Sequence, residues 1–394
     1  MPVAVLYLPT PSSHPLSDRP VAGRSLTLRL MMAAARAGVT TIGVPAALRT
    51  KRLERELRRA PALVGCVRFI DGHVDDPPFT DEPCLLVPAA ALVDTASLRA
   101  LLAEGPDPAG AVLAGTSAAG APVLLAPPSL VAKVWHGLAG GEALGDELVR
   151  AVAVARPAAV TAGAPPIVVR DESDLARAEA RLYAAIGTDA DTGVDTFLHR
   201  RCSIHITRLL VRTPATPNQV SLASFLVGTS AIWCFWHATP WSAPAGVLLY
   251  AAACILDHSD GELARLTFQE SPLGAHLDWA IDTIIHSMLV LAMAVSAGGG
   301  PIVLAIGALG AVGVTLSALF ARHLPREIEV GPSVGGILKN TGNRDLFYLL
   351  LLLFVLFRWA VPPLLPALAV VVAAGSQSYW VACLARIRKG RAGR

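Results

Sequence analysis

Hydrophobic and polar positions follow two different rules along this 394-residue chain. Over about the first 165 residues, short apolar runs alternate with segments of helical spacing. "VAVLYLP" ends in proline and predicts a first strand, and "SLTLRLMMAAARAG" predicts a helix that Gly38 stops. "TTIGVPA" and "PCLLVPA" predict further buried strands, and "DTASLRALLAEG" predicts a helix with Asp94 as its N-cap. This alternation implies an α/β unit, a mainly parallel sheet covered on both faces. "PPIVVRDESDLARAEARLYAAIG" adds a strand and a charged helix. The polar break "TDADTGVD" then sets the domain boundary, giving domains of residues 1–190 and 191–394.

Past the break the pattern changes. "TFLHRRCSIHITRLLVR", near 195–212, sets Phe197, Leu198, Ile204, Leu209 and Leu210 among Arg200, Arg201, Arg208 and Arg212. Such a basic amphipathic helix suits a membrane interface; the alternative is a surface helix of the α/β domain. From "TPNQVS" onward, apolar stretches approach the roughly 20 residues that cross a bilayer. They lie near 219–238, 243–257, 277–297, 301–321, 346–360 and 362–385. The second reaches spanning length only if its helix continues into the polar stretch "DHSDGELARLTFQESPLGAHLDWAID". The expected fold is therefore an α/β cytoplasmic domain plus an all-α polytopic membrane domain with six transmembrane helices.

Composition agrees: 53% of residues are hydrophobic and only 16% charged, against about 25% in soluble chains. A net charge of +3 is too small to imply nucleic-acid binding. The six cysteines stand far apart without a CxxC pair, which argues against a disulfide framework or a zinc site. The N-terminus has no basic n-region, so the first domain is expected to stay in the cytoplasm. Basic residues gather in "ARHLPREIEVGPSVGGILKNTGNRD" and in the tail "RIRKGRAGR", whereas "HATPWSAP" and "SAGGGP" have none. The positive-inside rule puts those basic segments, the aspartate stretch and both ends of the chain on the cytoplasmic side.

The aspartates are the candidate chemistry. Asp257 and Asp260 are three apart and Asp278 and Asp282 four apart, so each pair shares a helix face. The intervening "ESP" lets two antiparallel helices bring the pairs together. Four carboxylates in a low-dielectric site need a compensating charge, and two divalent ions, Mg²⁺ or Mn²⁺, supply it. Gly261 and Gly274 leave room for a diphosphate, and Arg265 offers a fixed cation. Metals at a cytoplasmic membrane surface suit phosphoryl chemistry. Solvated loop aspartates capping helix ends are the bland alternative, but charges at membrane depth are usually functional.

Asp257-x-x-Asp260-Gly261-x-x-Ala264-Arg265, eight residues, then Gly274-x-x-x-Asp278-x-x-x-Asp282 resembles the complete signature of the CDP-alcohol phosphatidyltransferase family. The resemblance extends over about residues 195–390. It implies that Asp257, Asp260 and Asp278 hold metal and that Asp282 is the general base, itself also touching metal. It further implies that Gly261, Ala264, Arg265 and Gly274 bind a CDP-linked donor, that a hydroxyl acceptor attacks it, and that CMP leaves. Ser271 falls where the family often places a hydroxyl near the donor. "TPATPNQVS" resembles the family's entry to the first membrane helix, with Thr216 as N-cap and Pro217 at the first helical position. Asn218 there is either structural or part of the nucleotide pocket. "NTGNRDLF" resembles the branch whose acceptor is inositol phosphate, and Arg344 then meets an acceptor phosphate or anchors the interface. His258 and His276 occupy positions that the signature leaves free. Family resemblance also implies a homodimer.

Two donors follow from the resemblance: a CDP-linked lipid, or CDP-inositol with an inositol phosphate acceptor as in di-inositol phosphate synthesis. A cation carrier would instead need acidic residues on several helices near mid-membrane. A membrane scaffold would not require an intact signature. The N-terminal domain faintly resembles sugar-nucleotide nucleotidyltransferases through "PVAGRSLTLRLMMAAARAGVTTIGVPA". Its chemistry is missing, however. "PTPSSHPLSDRP" replaces a glycine-rich phosphate loop, and Ala89, Ala90 and Ala91 stand where a metal-binding aspartate is expected. An inactive domain is the expectation.

Overall fold

A computed structural model describes residues 3–71, 83–104, 111–112, 121–152, 156–157, 164–187, 193–298, 300–323 and 344–392. It divides into two compact units: Met1–Ala185 with Leu266–Phe268, and Ile186–Arg265 with Gln269–Arg394.

The first unit is built on a seven-stranded sheet. Its strands are β1 (Val3–Tyr7), β2 (Thr41–Pro45), β3 (Val67–Ile70), β4 (Cys84–Pro88), β5 (Ala111–Val112), β6 (Leu124–Ala126) and β7 (Arg156–Pro157). Their order is β7-β5-β6-β4-β1-β2-β3. β1 pairs in parallel with β2 and β4, as does β2 with β3, and only β6 runs antiparallel to both its neighbours. Alternation along β1 explains why both faces are covered. Ala4 and Leu6 join the core beneath α1 (Leu26–Ala37) and α2 (Thr95–Ala103), with Leu28, Met31, Leu98 and Leu101. Val3, Val5 and Tyr7 join the opposite core with Val134, Trp135 and Leu138 of α3 (Pro128–Gly140). Gly38 ends α1 at φ +106, a conformation open to glycine at little cost.

One expectation for this unit is refined. Asp94 stands at the N-cap of α2, but its side chain does not cap. It accepts instead from the Ala164 backbone N–H (2.9 Å) and from Arg181 of α4 (Glu172–Ala184). None of the six cysteines, all among the described residues, is in a disulfide, and burial pushes the Cys84 thiol up to about 12. Cys84 therefore stays protonated and packs as a small hydrophobe.

The second unit is helical. A π-helical turn, Asp195–His199, runs into α5 (Arg200–Leu210), followed by α6 (Pro217–His237), α7 (Ser242–Thr267), α8 (Pro272–Ala297), α9 (Gly300–His323), α10 (Arg344–Ala360) and α11 (Leu365–Ala392). Four stretches are long and apolar enough to cross a membrane: Pro217–His237, Pro272–Ala297, Gly300–His323 and Pro362–Ala385. The protein is accordingly an integral membrane protein. The other two expected crossings do not meet the same standard for physical reasons. α7 has length but carries the polar signature in its last turns, and α10 has 17 described residues. The loop whose basic residues set the expected orientation lies at 324–343, outside the described residues.

Small residues let these helices approach. A side-chain carbon at Gly310 of α9 would stand 2.9 Å from Val290 Cγ1 and 3.2 Å from the Ala373 backbone. Gly310→Val is expected to cost about 1–3 kcal/mol through overpacking. A thermal melt in detergent reads this as a lowered Tm, and an unchanged melt would refute the close packing.

Candidate metal centre and active site

α7 extends unbroken through the polar stretch to Thr267, as spanning length required, so Asp257 and Asp260 sit on its face one turn apart. The chain reverses at Phe268 (φ +58) and α8 starts at Pro272 behind Ser271. This short connection brings Asp278 back to the first pair: carboxylate oxygens of Asp257, Asp260 and Asp278 all lie within 4.8 Å of one another. Asp260 is buried, Asp257 half-buried and Asp278 exposed, so the trio grades from helix interface to surface. Asp282, one turn further along α8 and half-buried, is close enough to act electrostatically on Asp260.

Such an all-oxygen donor set, with one member taken out of water, fits a hard divalent cation. Without a positive charge among them, the ionised carboxylates repel at this range. Ser221 on α6 donates its hydroxyl to Asp260 Oδ2. That bond orients the buried carboxylate in the way that outer partners orient metal ligands. Sequence reasoning missed Ser221. Its only signal is its place one turn after Pro217, where Ser221 Oγ also reaches the Pro217 carbonyl (3.2 Å).

The remaining expected residues fall in two groups. A carbon at Gly261 would press to 3.3 Å on Arg265 Nη1, so the glycine leaves room for the guanidinium one turn ahead of it. Ala264 lies half-buried beside Arg265. On the other side, Ser271 Oγ accepts the Gly274 backbone N–H (3.0 Å), which makes Ser271 the N-cap of α8. A carbon at Gly274 would meet that oxygen at 3.1 Å and Asn218 Oδ1 at 3.6 Å. Asn218, Ser271 and Gly274 are thus neighbours, joined by the entry of α6, where Gln219 Oε1 accepts the Thr216 N–H (3.0 Å). Ser271→Ala should cost about 1 kcal/mol through the lost cap. Chemical denaturation checks it; a loss of activity with no loss of stability would instead mark Ser271 as a ligand contact. Arg344 opens α10, but its side chain is outside the described residues.

Further hydrogen bonds tie α7 and α8 to their neighbours, and His258, at a position that the signature leaves free, takes part in one. His286 Nδ1 donates to the Asp282 carbonyl (2.6 Å), which leaves its Nε2 to accept the Tyr250 hydroxyl (2.8 Å). Asp195 Oδ1 accepts from His199 Nδ1 and His258 Nε2, each at 2.8 Å. The Tyr348 hydroxyl meets His199 Nε2 at 2.8 Å. Asp345, the second residue of α10, accepts the backbone N–H groups of Gly193 (3.0 Å) and Val194 (2.9 Å).

Residues 214–383 match the CDP-alcohol phosphatidyltransferase family. A "Bifunctional IPC transferase and DIPP synthase" of Thermococcus kodakarensis is 32% identical over 185 residues, 45% of this chain and 40% of the relative. A protein of the same name from Rubrobacter xylanophilus is 34% identical over 137 residues, 35% of this chain and 31% of its own length. An "Archaetidylinositol phosphate synthase" of Aeropyrum pernix is 31% identical over 111 residues, 25% of this chain and 56% of its own. In each case the matched part is less than two thirds of the relative's length.

Proposed function

We propose that the chain, with its CDP-alcohol phosphatidyltransferase region at residues 214–383, is a membrane enzyme that transfers a substituted phosphate from a CDP-linked donor to a hydroxyl acceptor and releases CMP. The observation that carries this reading is the convergence of Asp257, Asp260 and Asp278 on one point beside Asp282.

In this reading Asp257, Asp260 and Asp278, with Asp282 also touching metal, would hold two divalent ions, Mg²⁺ or Mn²⁺. Bound there, such ions would supply positive charge to the diphosphate and to the charge that develops in transfer. The chain's own residues do the rest. Gly261 and Gly274 let the diphosphate approach the helix backbones, Arg265 pairs with a phosphate oxygen, and Asn218 with Ala264 borders the nucleotide. Asp282 takes the proton of the acceptor hydroxyl as its oxygen attacks the β-phosphorus. The bond from that phosphorus to the CMP oxygen breaks, and CMP carries away the electron pair. His286 and Tyr250 steady the turn that presents Asp282.

The names of the relatives favour an inositol phosphate acceptor, with Arg344 on its phosphate, and leave a CDP-linked lipid and CDP-inositol as competing donors. Further parts of the proposal are six crossings, a cytoplasmic active site and termini, and a homodimer. The first domain, proposed as residues 1–190, is read as inactive. Ala89, Ala90 and Ala91 are fully buried and offer no carboxylate. Leu144 and Gly145 donate their N–H groups to the Leu8 and Pro9 carbonyls. A later segment thereby pairs with the chain just past β1.

The test is CMP release by purified protein with Mg²⁺ or Mn²⁺, offering CDP-diacylglycerol or CDP-inositol with inositol phosphate. CMP is expected from one pair and should stop on chelation. CMP formation that survives chelation would exclude the metal reading, and protein that binds neither metal nor CDP-donor would exclude the enzyme.

A further inference from the structure

The helix ahead of the first crossing is expected from its sequence to turn an apolar face to the membrane, and Phe197 (69% exposed) and Leu209 (67%) do stand outside. What it buries is unexpected. Asp195, His199, Ser203 and Thr207, four apart along one stripe, are each at most 3% exposed. A continuous polar stripe is costly to bury unless every group is met, and here each is met by the signature helix α7 or by α10. Glu262, fully buried between Asp260 and Arg265, accepts from Arg200 Nη1 (2.8 Å), Ser203 Oγ and Thr207 Oγ1 (2.6 Å). One turn earlier on α7, His258 donates to Asp195. Tyr348 of α10 holds His199, and Asp345 holds the start of the segment.

We infer that this stripe is a splint for the metal centre. It grips α7 at His258 and Glu262, the residues beside Asp257 and Asp260 that the signature leaves free, and so sets the rotation and height at which those two carboxylates meet Asp278. The inference rests on the proposed function only in taking the aspartate trio as the metal site. Asp195, Ser203, Thr207 and Glu262 are positioning residues: they touch the carrier helix, not the substrate. The Asp195–His199–His258 group also has the composition of a metal site. Its oxygen–nitrogen separations of 2.8 Å are those of hydrogen bonds, whereas donors around a tetrahedral ion stand about 3.3 Å apart.

Mn²⁺ binding to the full chain in detergent, read by electron paramagnetic resonance, tests the splint without needing a substrate. Ser203→Ala with Thr207→Val should weaken Mn²⁺ binding about tenfold, as loss of outer partners does elsewhere. Asp195→Ala should do likewise, while Asp195→Asn, which keeps an oxygen for His258, should restore binding to within about threefold of the parent. Thr315→Val, which removes a part-buried bond to Ser287 (3.0 Å) elsewhere in the bundle, controls for general destabilisation and should leave Mn²⁺ affinity unchanged. Parent-like Mn²⁺ affinity in folded splint variants would overturn the inference while leaving the transferase reading intact. Equal weakening in Thr315→Val, or in Asp195→Asn and Asp195→Ala alike, would overturn it too. Should the double variant aggregate, the Asp195 pair decides. A parent protein that binds no Mn²⁺ would sink the proposed function itself. A tightly held zinc lost with His199→Ala but kept with Asp278→Asn would replace the splint by a second metal site.

Discussion

Asp282→Asn is expected to reduce CMP release by about a thousandfold while leaving donor and Mn²⁺ binding within a few-fold of the parent. General-base catalysis contributes about 10²–10⁴ in rate. The substitution removes the base but keeps the shape of the side chain, and it leaves the Asp257–Asp260–Asp278 trio and the His286 bond to the Asp282 carbonyl in place. The loss should therefore fall on kcat rather than on KM. Single-turnover CMP release with donor and metal saturating is the measurement. A variant that retains more than a tenth of the parent rate would remove Asp282 from the role of base. One that loses Mn²⁺ altogether would make it chiefly a ligand.

Asp260→Asn should act by the other route, through the metal. Asp260 is the buried member of the trio and the one that Ser221 orients. An amide there neutralises one ligand and leaves two weaker, more exposed carboxylates facing the ion. Mn²⁺ affinity is expected to fall by more than about a hundredfold, and CMP release should recover in part at high metal concentration. Ser221→Ala, which removes only the orienting bond, should cost about tenfold in affinity. A metal titration of activity for both variants separates the cases. Equal losses would mean that Ser221 is itself a ligand, and no loss in Asp260→Asn would move the metal elsewhere.

Spacing along the chain made much of the site legible. Asp257 with Asp260, and Asp278 with Asp282, needed only helical periodicity to share a face, and the break before Pro272 needed only Ser271 and a proline to start a new helix. The outer partners were not legible in the same way. Ser221, His286, Asp345 and Glu262 are ordinary polar residues until the chain folds, because their partners lie on other helices. Asp195 meets His258 across 63 positions and Gly193 meets Asp345 across 152. Asp94 shows the same limit in the first unit: its place before α2 was readable, but Arg181 and Ala164 both donate to its Oδ2.

By itself, the sequence determined the α/β character of the first unit, the apolar stretches of the second and the paired carboxylates, since each is set by local period and composition. Tertiary structure decided which helices bring those pairs to one point, how deep each carboxylate sits and what its outer partners are. It also decided the use of the 195–207 stripe. Amphipathic spacing says that one face of that helix is polar, but not whether water or another helix satisfies it. Burial at Asp195, His199, Ser203 and Thr207 answers that, because a buried polar stripe persists only where a facing helix supplies every partner.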